Sequence, residues 1–384
     1  MIKSILLILL ILSFNISCSN SVTEKVIVNS QLLIPSNTEN IKKIVSKEDE
    51  IILYITDSSG YIEFSTGDKI SFSNLFDKTH RTEIVNNKEL DFLYIPLKPF
   101  LVITYDDCPE SDYSVYTNVH KLYSPVVPAE LGLNIGSHAL SIDKLKEMVS
   151  NGFEIVNHGY SHNRLETVAL QKAVKKGEQN IHGWFVHTFL NKAEILIGND
   201  EYTIVSHSSD SEGQYFIVDK PFSKDYEVGT NICLQRKFLE NELFGQVENA
   251  EKELGTKILN FTYPYTVSDE RTRKLISTKY KSSRAYNGLQ FNNSKNLTNP
   301  GFNFFPFENR YQLNSASFDT DYSEKEIEKL LRVGGGYNAM IILFTHTWDK
   351  LFSEKKIKFI IDTANKIGIE ISTRSKIWEY YELF

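Results

Sequence analysis

Two short stretches hold the residues best suited to chemistry. Thr104-Tyr105-Asp106-Asp107 closes the apolar run 100–103, and Asn157-His158-Gly159-Tyr160-Ser161-His162 closes the apolar run 153–156. Each run is long enough for a buried strand. In parallel sheets and barrels, sites form at the carboxyl ends of the strands. Two imidazoles and a carboxylate suit zinc or a similar divalent ion, with a coordination position left open for water. A second aspartate beside the ligand can then act as a base on that water. Taken singly, each of these residues is more readily structural, a core histidine or a loop-capping acid. Their joint arrival at two strand ends carries the metal reading. His158-x-x-x-His162 is not the zincin pattern, because Gly159 stands where that motif has its glutamate.

The elements that must hold these residues repeat one unit. Ser141 caps a helix with Ile142, Leu145, Met148 and Val149 on one face; Asn151-Gly152 stops it, and the strand at 153–156 follows. A helix over about 236–254 with Leu239, Leu243, Val247, Ala250 and Leu254 on its inner face stops at Gly255, and a strand at 258–261 leads to Tyr263-Pro264-Tyr265. Ser323-Glu324-Lys325-Glu326 is a capping box opening a helix that Gly334-Gly335-Gly336 ends, and a strand at 340–344 delivers Thr345-His346. Ser353 opens a last helix, which Gly368 stops before a strand at 369–373. Helix, glycine stop, strand and reactive residue is the unit of a parallel α/β fold. It predicts a parallel barrel or sheet with its site on one rim.

Other stretches depart from this unit. Residues 108–139, with Pro109, Pro125 and Pro128, read as an irregular loop at the mouth of the site, and His120 and His138 as ordinary loop histidines. Residues 167–232 read as a β-rich insertion, with strands at 195–197, 202–205 and 215–218 and a hairpin turn at Gly198-Asn199-Asp200. It reads equally as a sugar-binding module or lid and as an elaboration without direct contact, and His182, His187 and His207 within it are not expected to be ligands. Residues 41–97 read as a β-rich N-terminal region with strands at 51–55, 61–64 and 92–95, either a separate module or extra strands on the main domain. Residues 19–40 are polar and read as a tether. Residues 1–18 read as an export signal: Lys3 precedes an Ile- and Leu-rich run at 4–12, too short to span a bilayer.

The composition is that of a globular protein: 41% hydrophobic and 24% charged, with 24 Phe and 20 Tyr to fill a core. A net charge of −7 and a pI near 5.8 argue against a nucleic-acid partner. Cys108, next to the acid pair, reads as a buried thiol near the site; a disulfide to Cys233 is allowed but not implied.

In chain order, Tyr105-Asp106-Asp107, His158-Gly159-Tyr160-Ser161-His162, Tyr263-Pro264-Tyr265 and Leu343-Phe344-Thr345-His346 resemble the successive motifs of the polysaccharide deacetylases, the NodB-homology domain of carbohydrate esterase family four. The resemblance covers residues 98–384 with the insertion set aside, and implies a distorted, incomplete (β/α) barrel. By position, Asp107, His158 and His162 resemble the metal triad, for zinc or else cobalt or nickel. Asp106 resembles the general base, the backbone N–H at Tyr265 the oxyanion donor, and His346 the general acid that protonates the leaving amine. The activity implied is metal-dependent removal of N-acetyl (or O-acetyl) groups from a cell-envelope or extracellular polysaccharide. Ser17-Cys18-Ser19 resembles a bacterial lipoprotein signal, although Asn15 stands where Leu is usual. This implies lipidation at Cys18 and an exported, membrane-anchored protein.

Two departures from the family pattern stand out. Its third motif usually begins with an arginine that orients the base, and Thr262 holds that position here, as in a branch that includes deacetylases of poly-N-acetylglucosamine. Arg284 and Arg310 are the candidates to replace it. The aspartate of the fourth motif, which tunes the acid histidine, has only Asp319 and Asp321 as weak candidates. Two other functions stay open: a metal amidohydrolase of the same fold acting on a small non-sugar amide, and a non-catalytic glycan-binding lipoprotein. Retention of Asp106 and His346 argues against the latter, since metal-supported folding needs neither.

Overall fold

The run Phe100–Asp106 (β1) is buried at every position, as a strand covered on both faces must be. It belongs to a computed structural model that describes residues 97–285, 301–305, 309–318 and 322–381, together with the strand backbone at 26–28, 31–33, 41–46, 50–55, 61–63, 69–71, 80–85, 88–96, 290–291 and 297–299. The export signal with Cys18, Asp319 and Asp321 lie outside the described residues. Among the described residues, no helix is long and apolar enough to cross a membrane.

Around β1 the repeating unit builds a parallel sheet. In chain order follow Glu110–Asn118 (α1), Glu130–Leu133 (β2), Ile142–Ser150 (α2), Glu154–Asn157 (β3), Arg236–Phe244 (α3), Val247–Leu254 (α4), Asn260–Thr262 (β4), Glu270–Ile276 (α5), Ser282–Arg284 (β5), Ala316–Ser317 (β6), Glu324–Gly336 (α6), Met340–Thr345 (β7), Glu354–Ile367 (α7), Glu370–Ile371 (β8) and Arg374–Tyr381 (α8). The strand order is β5-β4-β3-β2-β1-β7-β6, every pairing parallel, with β8 wedged against the first residues of β1. A bridge from Arg284 to Leu313 brings the segment before β6 back onto β5. The sheet therefore curls until one short segment joins its edges, giving the distorted, incomplete (β/α) barrel that the resemblance implies. The register sets Asp106 level with Gly132, Asn157 level with Phe261, and Thr262 level with Arg284. The carboxyl ends of five neighbouring strands thus share one rim.

The stretch 108–139 is not the irregular loop expected. It contains α1, a short 3₁₀ turn at His120–Leu122, and β2. Helix α1 (ESDYSVYTN) has no apolar stripe, and β2 is four residues long and opens on Glu130, so neither gives the period from which elements are read. His120 is a core histidine rather than a loop one: its ring lies between the Tyr105 hydroxyl at 2.7 Å and the Val127 carbonyl at 2.8 Å. Burial pushes its pKa down to about 4. His138 meets the Leu140 carbonyl at 2.9 Å, close to the sequence reading. The helix expected over 236–254 is two helices, broken where Gln246 takes a left-handed φ of 58°. Both Cys108 and Cys233 are free thiols, the former buried.

The insertion is a six-stranded antiparallel sheet in the order Val168–Ala169, Asn231–Leu234, Glu194–Ile197, Asp200–Asp210, Gly213–Val218, Asn180–His182. It leaves the barrel after β3 and returns at α3. Near the N-terminus, Ile41–Ser46, Glu50–Ile55, Lys88–Pro96 and His80–Val85 form a four-stranded antiparallel sheet in that order.

One buried ion pair braces the barrel below the rim. Arg374 at the start of α8 donates through Nε to both oxygens of Glu130 at 3.0 Å, through Nη1 to the Phe261 carbonyl at 2.9 Å, and through Nη2 to Thr262 Oγ1 at 3.3 Å. Both side chains are fully buried. Removing one partner of such a pair strands the other charge. Glu130→Ala is therefore expected to cost about 3–5 kcal/mol in urea unfolding, and the Glu130→Leu/Arg374→Met double variant to recover most of it. A single variant as stable as the parent would show the pair to be dispensable.

Candidate metal and catalytic centre

Adjacent residues of a strand point to opposite faces, so Asp106 and Asp107 can serve one site only if the chain turns between them. It does: β1 ends at Asp106, and Asp107 and Cys108 take φ values of 72° and 51°. His162 (68°), Tyr265 (57°) and Thr266 (60°) are also left-handed. Five of the eight non-glycine residues with positive φ among the described residues therefore lie in the loops of this rim. Such conformations are uncommon for residues with a Cβ and cluster at functional sites.

The turn at β1 and the loop after β3 bring Asp107, His158 and His162 together. His158 Nε2 and His162 Nε2 are 3.2 Å apart, and Asp107 Oδ1 lies 3.6 Å from the first and 3.4 Å from the second. Two ligands at the usual Zn–N distance of ~2.0–2.1 Å in tetrahedral geometry sit roughly 3.3 Å apart. The triangle thus has the size that one divalent ion demands, and it is a donor set of the N₂O kind such an ion takes.

The surroundings orient each donor. His158 Nδ1 lies 2.9 Å from the Thr262 carbonyl, so that nitrogen carries the proton and Nε2 keeps its lone pair. Asn134 Nδ2 donates to Asp107 Oδ1 at 3.1 Å, and the Trp348 indole N–H donates to Oδ2 at 3.1 Å. Burial raises the Asp107 carboxyl, but the imidazoles of His158, His162 and His346 and the Asn134 amide outweigh it and hold it below the usual range. Burial and the neighbouring His158 push His162 down to about 4, so its ring is neutral at ordinary pH. Glu242 of α3 pins the loop itself. Its carboxylate accepts from the Ser161 N–H at 3.1 Å, from Asn163 Nδ2 at 3.1 Å and from the Ser161 hydroxyl, and its backbone carbonyl accepts from the Tyr160 N–H at 2.9 Å. Gly159 turns the loop at φ 88°.

Asp106 occupies a different environment. Its Oδ2 accepts from Arg284 Nη2 at 2.5 Å, with both side chains buried. Its Oδ1 is buried and has no partner among the described residues. A buried, unpartnered carboxylate oxygen beside three converging donors is placed for a water or substrate proton. Gly132 faces it: a Cβ there would stand 3.0 Å from Asp106 Oδ1. Arg284 also lies over the Phe344 ring, 4.3 Å from its centroid. Arg310, the other arginine candidate, lies on Tyr311, donating to that hydroxyl at 3.0 Å. The guanidinium at the acid pair is thus the one carried by β5, and Thr262 holds Arg374 instead.

His346, after β7, places Nε2 3.9 Å from Asp107 Oδ2, and its ring is 5.0 Å from that of Trp348. The Tyr265 ring stands edge-on to His162 at 4.7 Å. Burial and the Asp107 charge push its phenol up to about 12. Asp112 of α1 is buried and accepts from Thr347 Oγ1 at 2.6 Å. Burial raises its carboxyl, and the Asp106 and Asp107 charges add to this against Thr347 and His346.

The sequence reading missed Asn134, Glu242, Trp348 and Asp112. Glu242 had left a signal, an acid on the inner face of α3 between Leu239 and Leu243. The others sit in loops or in α1, where no period marks a face.

Residues 96–184 match the family model described as polysaccharide deacetylase, which bears out the resemblance read from the motifs. The match takes in Asp106, Asp107, His158 and His162, and ends inside the insertion. No curated protein matches the chain. Solved structures similar to it include the Xyl-CE4 domain of a multidomain xylanase from the hindgut metagenome of Trinervitermes trinervoides, at 13% identity over 73% of this chain and 90% of that one, TM-score 0.41. A family 4 acetyl xylan esterase from Clostridium thermocellum in complex with a cobalt ion shares 13% identity over 73% and 90%, TM-score 0.38. The chitin deacetylase from the fungal pathogen Colletotrichum lindemuthianum shares 14% identity over 74% and 89%, TM-score 0.39.

The depressed His162 pKa can be checked directly. In metal-free protein, the His162 imidazole resonances should titrate near about 4, against about 6.5 for an unperturbed ring. The ligand nitrogen is then unprotonated at neutral pH, so binding a cation there expels no proton from it. A midpoint near the unperturbed value would contradict the burial of this ring.

Proposed function

We propose that this protein is a metal-dependent deacetylase that hydrolyses N-acetyl groups on a polysaccharide. The observation that carries the reading is the division of the acid pair. Asp107 faces the two imidazoles, while Asp106 is clamped by Arg284 through one oxygen and leaves the other free.

Asp107, His158 and His162 would hold the ion. A divalent cation supplies Lewis acidity toward an acyl oxygen and toward water. Asp106 Oδ1 takes the proton of the attacking water, and Arg284 fixes the carboxylate from behind. The Tyr265 N–H, at the left-handed turn beside His162, steadies the oxyanion of the tetrahedral adduct. His346 hands a proton to the leaving nitrogen, completing hydrolysis to acetate and a free amine. Asp107, His162 and His346 are each partly open to solvent, with side chains 23–24% exposed. That openness suits a sugar within a chain better than a small amide sealed in a closed pocket.

The two aspartates should separate on substitution. Asp106→Asn is expected to keep its metal and lose deacetylation on the order of a hundredfold or more, the usual contribution of a positioned base. Asp107→Asn is expected to lose metal and activity together. Acetate release from an N-acetylated oligosaccharide, measured beside elemental analysis, checks both. Full activity in Asp106→Asn would remove the base assignment, and no acetate release by the metal-loaded parent would favour a glycan-binding protein without turnover.

We also propose that the chain is exported and anchored through a lipidated Cys18, with residues 19–40 as tether. Cys18→Ala should move the protein from the detergent-dependent membrane fraction to the soluble one. A mature protein that begins at another residue and fractionates without detergent would refute the anchor.

A further inference from the structure

The β-rich insertion carries an open cleft of about 400 Å³, between the segment 186–191 and the hairpin of Asp200–Asp210 and Gly213–Val218. Its volume falls within the ~300–1,000 Å³ usual for ligand sites. Its chemistry is specific in kind. Tyr215 offers a half-buried ring and Leu190 apolar surface, Asn191 and Gln214 offer side-chain amides, and Ser208 offers a hydroxyl. No Lys, Arg, Asp or Glu lines it. A pyranose ring has apolar C–H faces and a belt of hydroxyls, and an N-acetyl substituent adds an amide. Rings, amides and hydroxyls without charge match that ligand and give no counter-charge to a uronate or a phosphate.

The cleft is also fastened to the metal loop. Thr188 accepts through its carbonyl from the Arg164 N–H at 2.8 Å, and Leu190 donates its N–H to Asn163 Oδ1 at 2.7 Å. Asn163 and Arg164 directly follow His162. His187, on the cleft wall, has its ring 6.4 Å from that of Tyr265, which in turn is 4.7 Å from His162. His207, on the opposite wall, is held by Asn191 Oδ1 at 2.8 Å and the Val186 carbonyl at 3.1 Å, so the two walls are tied to one another. The cleft is therefore preformed and tied to the loop that carries His162. Its openness allows a polymer to run through it.

We propose that this cleft is a saccharide subsite, binding an uncharged N-acetylated stretch of the glycan next to the unit being deacetylated. The proposal rests on the deacetylase reading of the metal centre. It makes the insertion a determinant of chain-length preference: oligomers long enough to reach from the metal into the cleft bind more tightly than those that are not.

The test uses the metal-loaded protein and a ladder of N-acetylglucosamine oligomers from dimer to hexamer. For the parent, KM should fall with length. Gln214→Ala and, separately, Ser208→Arg, which puts bulk and charge into the cleft from an exposed strand position, should each raise KM for the hexamer. The rise should be roughly three- to tenfold, the equivalent of a lost hydrogen bond, with kcat and the dimer constants unchanged. A parental KM for the hexamer in both variants would overturn the proposal. If the metal-loaded parent releases acetate from no oligomer, the deacetylase reading fails by itself, and calorimetric titration of the hexamer decides the cleft. Binding by the parent that weakens in the variants supports the subsite; equal binding, or none by the parent, overturns it.

Discussion

The rim depends on one charge pair sealed inside the barrel, Asp106 with Arg284. Burying two ions costs several kcal/mol each before their attraction is counted, and two well-packed apolar residues would usually serve stability as well or better. What the pair does is leave one carboxylate oxygen unpartnered and fix where it points. A carboxylate with a free buried oxygen swings or protonates unless its other oxygen is held. Arg284 holds it, and the Phe344 ring under the guanidinium limits where that group can go. The second buried pair, Glu130 with Arg374, lies close enough that the two arginines act on one another. Each of the two arginines thus has its own acid.

This interior sets what the backbone must do above it. Residue 284 reaches Asp106 only because β5 stands level with β4 at Thr262 and the sheet curls across β3 and β2 to β1. Once the strands end, the chain has to turn within one residue to bring its donors inward. The left-handed conformations at Asp107, His162 and Tyr265 are the local cost of that turn. The supports around them are numerous for the same reason. Glu242 ties down the histidine loop, and Asn134 and Trp348 hold the two oxygens of Asp107.

The sequence made most of the barrel legible, because β1, β3, β7 and their flanking helices carry apolar runs and glycine stops that report burial directly. It left β2 and α1 unread because burial there falls on Glu130, Asp112 and Tyr116 as well as on Leu131, Leu133 and Val115, so no clean apolar pattern marks either element. The residues brought together by the turns, Asp106, Asp107, His158 and His162, could be read from their positions at strand ends. Their supports could not, since Trp348 lies 241 residues from the aspartate it touches and Glu242 lies 81 from the serine it holds. The arginine was half legible. Its absence at position 262 was plain, but the choice between Arg284 and Arg310 is made by sheet register, which a single sequence does not print.

Gly132 gives this arrangement a point of fragility. Its missing side chain leaves the space that the Asp106 carboxylate occupies, with the acid's own Cα 3.3 Å from where a methyl would sit. An alanine there presses first on the Asp106 carboxylate, from a strand whose next residues hold the His158 N–H and Asp107. A lineage that drifted at this strand would disturb the buried acid with every recognisable signature residue still in place.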